Sequence, residues 1–267
     1  MIDTHTHCYH SHDSTQDPEQ SILYAIDHNV EYLAFTDHCD KDIVFVPKYS
    51  HIRQIDLVKH FEEINFLKEK YKDKIEIGVG LECGFALRAT PLYAEIIKKY
   101  PTDIIINSVH LVGDADCYFK ECFLNKSKKQ AYNDYLKTIM DSVNAPYHWD
   151  SLAHIGYVCR KAPFEDKYLH YKDFSDQIDY ILNSIISKGK SLEINTHSEG
   201  TQSDFLPTIE IVKRYKELGG ELLTFASDAH IKDNICKNYI PTITLLKNLG
   251  FNYIFKYINH NPIAVKI

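Results

Sequence analysis

Four histidines, His5, His7, His10 and His12, fall within the opening stretch IDTHTHCYHSHDS. Imidazole titrates near neutral pH and is the commonest protein ligand for metal ions, so such crowding points to proton transfer or to a bound ion. A tag or a solvated start to the chain would give the same local composition. The rest of the sequence separates these readings. Seven short apolar runs each end in a polar residue of the same kind: His5 and His7 in THTH, Asp37 and His38 in AFTDH, Glu82 in GVGLE, His110 in NSVH, His154 in SLAH, Asn195 and His197 in EINTH, and Asp228 and His230 in FASDAH. One such histidine is ordinarily a loop residue, and TDH or SDAH alone reads as a cap or turn. Seven together at corresponding places are not coincidence. His5 and His7 are two apart on an extended chain, so both rings face one side. Asp228 and His230 repeat that spacing.

Imidazole and carboxylate without thiolate suit Zn, Mn or Fe(II) rather than a cysteine-built structural zinc site. The nine candidates, His5, His7, His12, His38, Glu82, His110, His154, Asp228 and His230, are too many for one tetrahedral ion. At three or four ligands each they supply two to three divalent ions, with one carboxylate bridging.

Elements must carry these residues to one place. Short apolar runs predict strands over 1–5, 32–36, 75–81, 104–109, 151–154, 191–195, 221–226 and 253–255. Amphipathic stretches lie between them. In 54–71, Ile55, Val58, Phe61, Ile64 and Leu67 recur at helical spacing. The stretch 172–189 ends in a glycine suited to a C-cap, and TPLYAEIIKKY opens with Thr90 as N-cap and Pro91 in the first turn. The segment between the fourth and fifth strands, 113–150, reads as a surface loop and then a helix. Regular strand–helix alternation predicts an α/β fold with a mostly parallel sheet, and seven or eight units in 267 residues suit a closed barrel. In such a barrel the chemistry sits where strands end and loops begin.

Composition bounds the partners. A net charge of -7 argues against nucleic acid or an anionic membrane. No stretch reaches the roughly 18 apolar residues of a membrane span. No basic region followed by an apolar run opens the sequence, and seven cysteines without a C-x-x-C fit reduced thiols in the cytoplasm.

The ordered set HTH, TDH, Glu82, His110, His154 and SDAH resembles the PHP (polymerase and histidinol phosphatase) superfamily over the whole chain. Within it, HCYHSHDSTQD, AHIGYVCR and LEINTHS are similar to the monofunctional histidinol-phosphate phosphatases. The resemblance implies a single-domain, distorted (β/α)7 TIM-like barrel over 1–267 with a trinuclear metal centre. It implies that His5, His7, Glu82 and Asp228 hold one ion, that Glu82, His110 and His154 hold a second, and that His12, His38 and His230 hold a third. His10 is then a loop residue. The implied reaction is hydrolysis of L-histidinol phosphate, a small phosphorylated amino-alcohol, by a water that the ions make acidic. A nuclease or nucleotide phosphoesterase of the same superfamily, and a non-catalytic metal store, are the rival readings. Arg160, six residues after His154, is the candidate phosphate clamp. Asp17 is a candidate proton donor or amine contact, with a helix cap before Pro18 as the alternative. His197 is a candidate phosphate contact or proton donor. Lys161 is expected in solvent. Cys8, Cys39 and Cys83, each next to a candidate ligand, are expected as buried fillers.

Overall fold

The computed structural model describes residues 1–267. Seven parallel strands form one sheet in the order β1 (Ile2–Thr6), β2 (Tyr32–Phe35), β3 (Glu76–Gly84), β4 (Ile104–Ser108), β7 (Ser151–Leu152), β8 (Ser191–Asn195) and β9 (Leu223–Ala226). The last strand returns to the first. Thr4 Oγ1 donates to the Phe225 carbonyl at 2.9 Å, Asp228 N to the His5 carbonyl at 2.9 Å, and His7 N to the Ala229 carbonyl at 2.8 Å. These bonds nearly close the barrel and bring the two polar pairs of the sequence, His5/His7 and Asp228/His230, side by side.

Helices α1 (Pro18–Asp27), α2 (Leu57–Tyr71), α3 (Thr90–Lys99), α4 (Lys128–Ser142), α5 (Ser175–Ser187), α6 (Ile209–Glu217) and α7 (Tyr239–Asn248) link the strands or follow the last of them. Each buries one stripe. On α5 it is Ile178, Ile181, Leu182 and Ile185, and on α2 it is His60, Phe61, Ile64, Leu67 and Tyr71. The resulting core cluster joins 68 buried residues, so helices and sheet share one interior. No helix is long and apolar enough to cross a membrane.

Several boundaries differ from the sequence reading. Asp56 caps α2 through Lys59 N, so the helix begins three residues later than predicted, and Val58 faces solvent. Thr90 lies in the first turn of α3 and donates to the Leu87 carbonyl instead of capping. β3 runs on through Glu82, because its end pairs with β4 from Glu82↔Ile106 to Gly84↔Ser108. The fifth barrel strand stops at Leu152, two residues before His154, which has φ +20°. The predicted eighth strand is not in the barrel. It forms β10 (Tyr253–Ile258) and pairs antiparallel with β11 (Asn261–Lys266). This hairpin packs at the end where the barrel strands begin, with Tyr32 Oη donating to the Tyr257 carbonyl at 2.8 Å. The 113–150 segment opens on the turn of a short hairpin between β5 (Leu111–Val112), just before it, and β6 (Ala115–Asp116), and continues with a single turn and then α4 with a Ser127/Gln130 capping box.

Candidate metal centre and phosphate pocket

His5 and His7 leave β1 with their rings 5.0 Å apart. His5 Nδ1 meets Glu193 Oε2 at 2.8 Å, and His7 Nδ1 meets Ser11 Oγ at 2.9 Å. The Ser11 hydroxyl donates to Asp37 Oδ1 at 2.6 Å, so it accepts from His7. Both imidazoles therefore carry a proton on Nδ1 and turn Nε2 towards each other. Those two Nε2 atoms lie 3.1 Å apart, with Asp228 Oδ1 3.2 Å from the second. Two neutral imidazoles so placed would set lone pair against lone pair, a contact that positive charge on one ring or between the two relieves. Burial, reinforced by His230 and His38, pushes His7 down to about 4, which keeps it a neutral ligand at neutral pH. Burial pulls His5 the same way, but Glu193, Glu82 and Asp228 overcome it and favour positive charge at that ring.

Glu82 sits on β3 at the middle of the set. Its Oε2 is 3.3 Å from His5 Nε2, 3.5 Å from His7 Nε2 and 3.0 Å from His38 Nδ1. Its Oε1 is 3.2 Å from His110 Nε2 and 3.0 Å from His154 Nε2, and accepts from Ser108 Oγ at 2.6 Å. Oε2 and His38 Nδ1 make no aligned hydrogen bond although both are buried. Buried polar atoms are rarely left so. A carboxylate ringed by five imidazoles, with one oxygen to each side, fits the donor set of neighbouring cations that share it. His5, His7 and Asp228 form one compact group, and Glu82, His110 and His154 another. Asp228 reaches its place at φ +52°, a conformation that non-glycine residues seldom adopt.

The third expected group is redrawn. His38 and His230 come together with His7, their rings stacked on it at 4.4 and 4.2 Å. His12 stays at the mouth, 3.9 Å from Asp40 Oδ2, its ring 5.2 Å from that of His38. Two carboxylates missed in the sequence complete this side. Asp13 Oδ2 lies 3.1 Å from His230 Nε2 and 3.5 Å from His38 Nε2. Asp40 Oδ2 lies 3.3 Å from His38 Nδ1. Gly84 makes room for the acids, since a Cβ there would stand 2.8 Å from Asp40 Oδ1 and 2.9 Å from Asp42 Oδ1.

These groups line a cavity of about 410 Å³ at the strand ends, with Asp42, Asp116, Ile43, Ile52, Tyr118, Phe119 and Tyr157 on its walls. Arg160 and His197 line it too. Arg160 is buried, and its Nη2 donates to Asp228 Oδ2 at 2.9 Å and to the His197 carbonyl at 2.7 Å, while Nε has no partner. It thus holds a candidate ligand as well as facing the cavity, a coupling that sequence position does not reveal. His197 is half-exposed, its Nδ1 3.5 Å from Asp228 Oδ2.

Asp17 does not reach the cavity. It is exposed and caps α1, accepting from Gln20 N at 3.0 Å, as the helix-cap alternative expects. His10 pairs with Glu63 at 2.8 Å, away from the cluster, and Lys161 is exposed. Cys8, Cys39 and Cys83 are buried, although Cys8 also donates to Asp37 Oδ2 at 3.1 Å. Glu193, fully buried on β8, was missed as well. It receives His5 Nδ1–H and also accepts from His154 N at 3.1 Å. A glutamate inside an apolar strand, LEIN, was the available signal.

The PHP domain family model matches residues 3–197. The histidinol-phosphatase of Lactococcus lactis is 33% identical over 94% of this chain and 92% of its own length. A probable histidinol-phosphatase of Clostridium acetobutylicum is 31% identical over 96% of each chain. The crystal structure of the Lactococcus lactis histidinol phosphate phosphatase, complexed with zinc, L-histidinol and phosphate, superposes with a TM-score of 0.87 over 98% of each chain at 32% identity. A Listeria monocytogenes structure with a TM-score of 0.79 and 20% identity shares the fold. With a barrel whose strand ends gather this ligand set, and relatives matched along nearly their whole length, the chain belongs to the PHP domain family.

Proposed function

We propose that this protein hydrolyses L-histidinol phosphate to L-histidinol and inorganic phosphate, as a metal-dependent phosphoric monoester hydrolase of the PHP family over 1–267. The observation that carries the reading is the convergence of Asp228, Glu82, His110 and His154 on one cavity beside Arg160, with His5 and His7 buried against Asp228 and Glu82. A relative of similar length, complexed with zinc, L-histidinol and phosphate, supports the substrate. His38 and His230, with Asp13 between them and His12 at the mouth, would complete the ligand set for a further ion. When bound, two to three divalent ions such as Zn, Mn or Fe would supply an acidic water and positive charge for the phosphoryl oxygens.

The chain's own residues do the rest. Arg160 presents its guanidinium to the phosphate while its Nη2 keeps Asp228 in place. Glu193 and Ser11 hold the protons of His5 and His7 on Nδ1 and so keep both Nε2 atoms available. His197, half-exposed at the rim, donates a proton to the leaving alkoxide. Asp42 is buried, lines the cavity, and neither of its carboxylate oxygens has a partner. Burial, with the charge of Asp40, raises its pKa, so a cationic group on the substrate restores its ionised form. We assign Asp42, with Asp116 nearby on the wall, to the ammonium end of the amino-alcohol. Ile43, Ile52, Tyr118 and Phe119 give an apolar wall for an imidazole ring.

Nucleic acid is a poor fit. Arg160 is the only arginine or lysine that lines the cavity, whereas a polyanionic strand needs a basic track. Neither nucleic acid nor a membrane belongs to this proposal, and seven unpaired, buried cysteines are consistent with the cytoplasm as its compartment. The test is phosphate release by metal-replete protein from L-histidinol phosphate, sugar phosphates, phosphoserine, nucleotides and single-stranded DNA. The expected kcat/KM is highest for L-histidinol phosphate. Comparable rates on DNA would overturn the proposal in favour of a nuclease, and no turnover of any ester would leave a metal-binding protein.

A further inference from the structure

A second cluster of ligand-type side chains lies at the opposite end of the barrel, where the strands begin. Asp150 immediately precedes β7 and is buried to 2% exposure. His148 comes two residues before it, and His260 turns the β10–β11 hairpin above it. His148 Nε2 is 2.7 Å from Asp150 Oδ1, and His260 Nδ1 is 2.8 Å from Asp150 Oδ2. The two rings stand 4.3 Å apart at 66°, both aimed at one carboxylate. One ligand atom from each residue falls within 4.8 Å of the other two.

We propose that His148, Asp150 and His260 form a binding site for one divalent transition-metal ion, separate from the catalytic centre, with zinc the best match. Two imidazoles and a carboxylate are a donor set that zinc takes, with the fourth position left for water. Tetrahedral bonds of about 2.0–2.2 Å place ligands a little over 3 Å apart, so the present spacings need to open by only about half an ångström.

Three further features favour an ion here. The other ring nitrogen of His260, Nε2, lies 3.2 Å from Thr102 Oγ1, the outer hydrogen bond that fixes a metal-binding imidazole. Asp150 is anchored by the Ile105 N–H on Oδ2 at 2.8 Å, so the carboxylate is held before any ion arrives. His260 occupies the second central position of a two-residue hairpin turn at φ +64°, after Asn259 at φ +48°. Glycine is the favoured residue at that position, and a histidine there needs a use. The side chains of His148 and His260 are 44% and 29% exposed, which leaves a path for the ion from solvent. Bound there, it would tie the hairpin to the starts of β4 and β7.

The test compares zinc content of wild type, His148→Gln and His260→Asn after equilibration across a range of buffered free zinc, alongside phosphatase kinetics. Asparagine suits the left-handed turn, and residue 148 is half in solvent, so both variants should keep the fold. Each should hold one zinc fewer per chain than wild type, with kcat/KM changed less than two-fold. Equal zinc content in all three across the range overturns the site and leaves a hydrogen-bonded clamp. If a variant loses activity together with metal, the fold has been disturbed, and wild-type crystals grown with zinc decide instead. An anomalous peak among His148, Asp150 and His260 at the zinc edge confirms the site, and none there removes it.

Discussion

Glu82 has both oxygens engaged, Oε2 towards His5, His7 and His38 and Oε1 towards His110 and His154. Asp40 also touches both sides, through His38 and His110, but no other side chain meets all five of these imidazoles. Glu82→Gln keeps the shape but removes the shared negative charge. It should release more than one metal ion per chain and lower kcat/KM on the order of 10³-fold, since such ions supply several kcal/mol of transition-state stabilisation. Elemental analysis and steady-state kinetics check both. Arg160 is different, because one of its nitrogens is already committed to Asp228. Arg160→Ala removes charge-assisted hydrogen bonds worth about 1.5–3 kcal/mol, or roughly a 10- to 150-fold fall in kcat/KM. It should also weaken metal retention, as Asp228 loses the group that orients it. Arg160→Lys should recover the charge and part of the rate but not the forked geometry. Kinetics near wild type in the alanine variant would take Arg160 out of phosphate recognition.

At the scale of elements, structural and chemical roles separate. Asp17 starts α1 by accepting from Gln20 N, so Asp17→Ala should cost about 1 kcal/mol of stability in denaturant unfolding with kcat/KM unchanged. A ten-fold loss of activity without loss of stability would return Asp17 to the chemistry. The helices on the far side are joined by Arg214 of α6, whose Nε and Nη2 grip the two oxygens of Asp179 on α5 at 2.9 and 2.7 Å. That guanidinium holds the Asp179 carboxyl below its ordinary 3.8. The stabilisation is therefore in full force above about pH 4 and is lost as pH falls through the lower folded value. The pair is partly open to solvent, so screening keeps its contribution small. Thermal unfolding of wild type and Asp179→Asn should differ at pH 7 and converge in strong acid. A gap of constant size at all pH values would mean that packing, not charge, links the helices.

The whole molecule carries a net charge of -7 and concentrates buried carboxylates and imidazoles at one end. Those groups face each other without enough hydrogen bonds to satisfy them. Cations that bind the folded chain and not the unfolded one should therefore stabilise it. Ions at a hundred times their dissociation constant contribute about 2.7 kcal/mol each, so thorough chelation should lower Tm by roughly 5 °C or more in a chain of this size. Differential scanning calorimetry before and after chelation, and again after zinc is restored, checks the drop and its reversal. An unchanged Tm would mean that hydrogen bonds alone suffice to hold the cluster.

Residue type and order were enough to predict the barrel and its ligand-rich end. A parallel strand must be followed by a loop at a fixed end of the barrel, so a histidine or carboxylate after each apolar run lands on one rim. That is why His5, His7, His38, Glu82, His110, His154, Asp228 and His230 could be named from the chain alone. Local rules also marked where helices start, but they could not choose between a cap and a proton donor for Asp17. That choice depended on where α1 packs. Three further features depended on contacts between strands and loops far apart in sequence. Glu193 meets His5 only because the barrel closes through β9, which brings β8 within two strands of β1. Asp13 enters the cluster because the first loop folds back under His38 and His230. His260 stands over Asp150 because the final apolar run makes a hairpin against the base of the barrel rather than an eighth strand. Strand ends are positioned by local covalent order, which a sequence displays. The hydrogen bonds that orient each ligand are long-range, and only the closed tertiary structure sets which atoms meet.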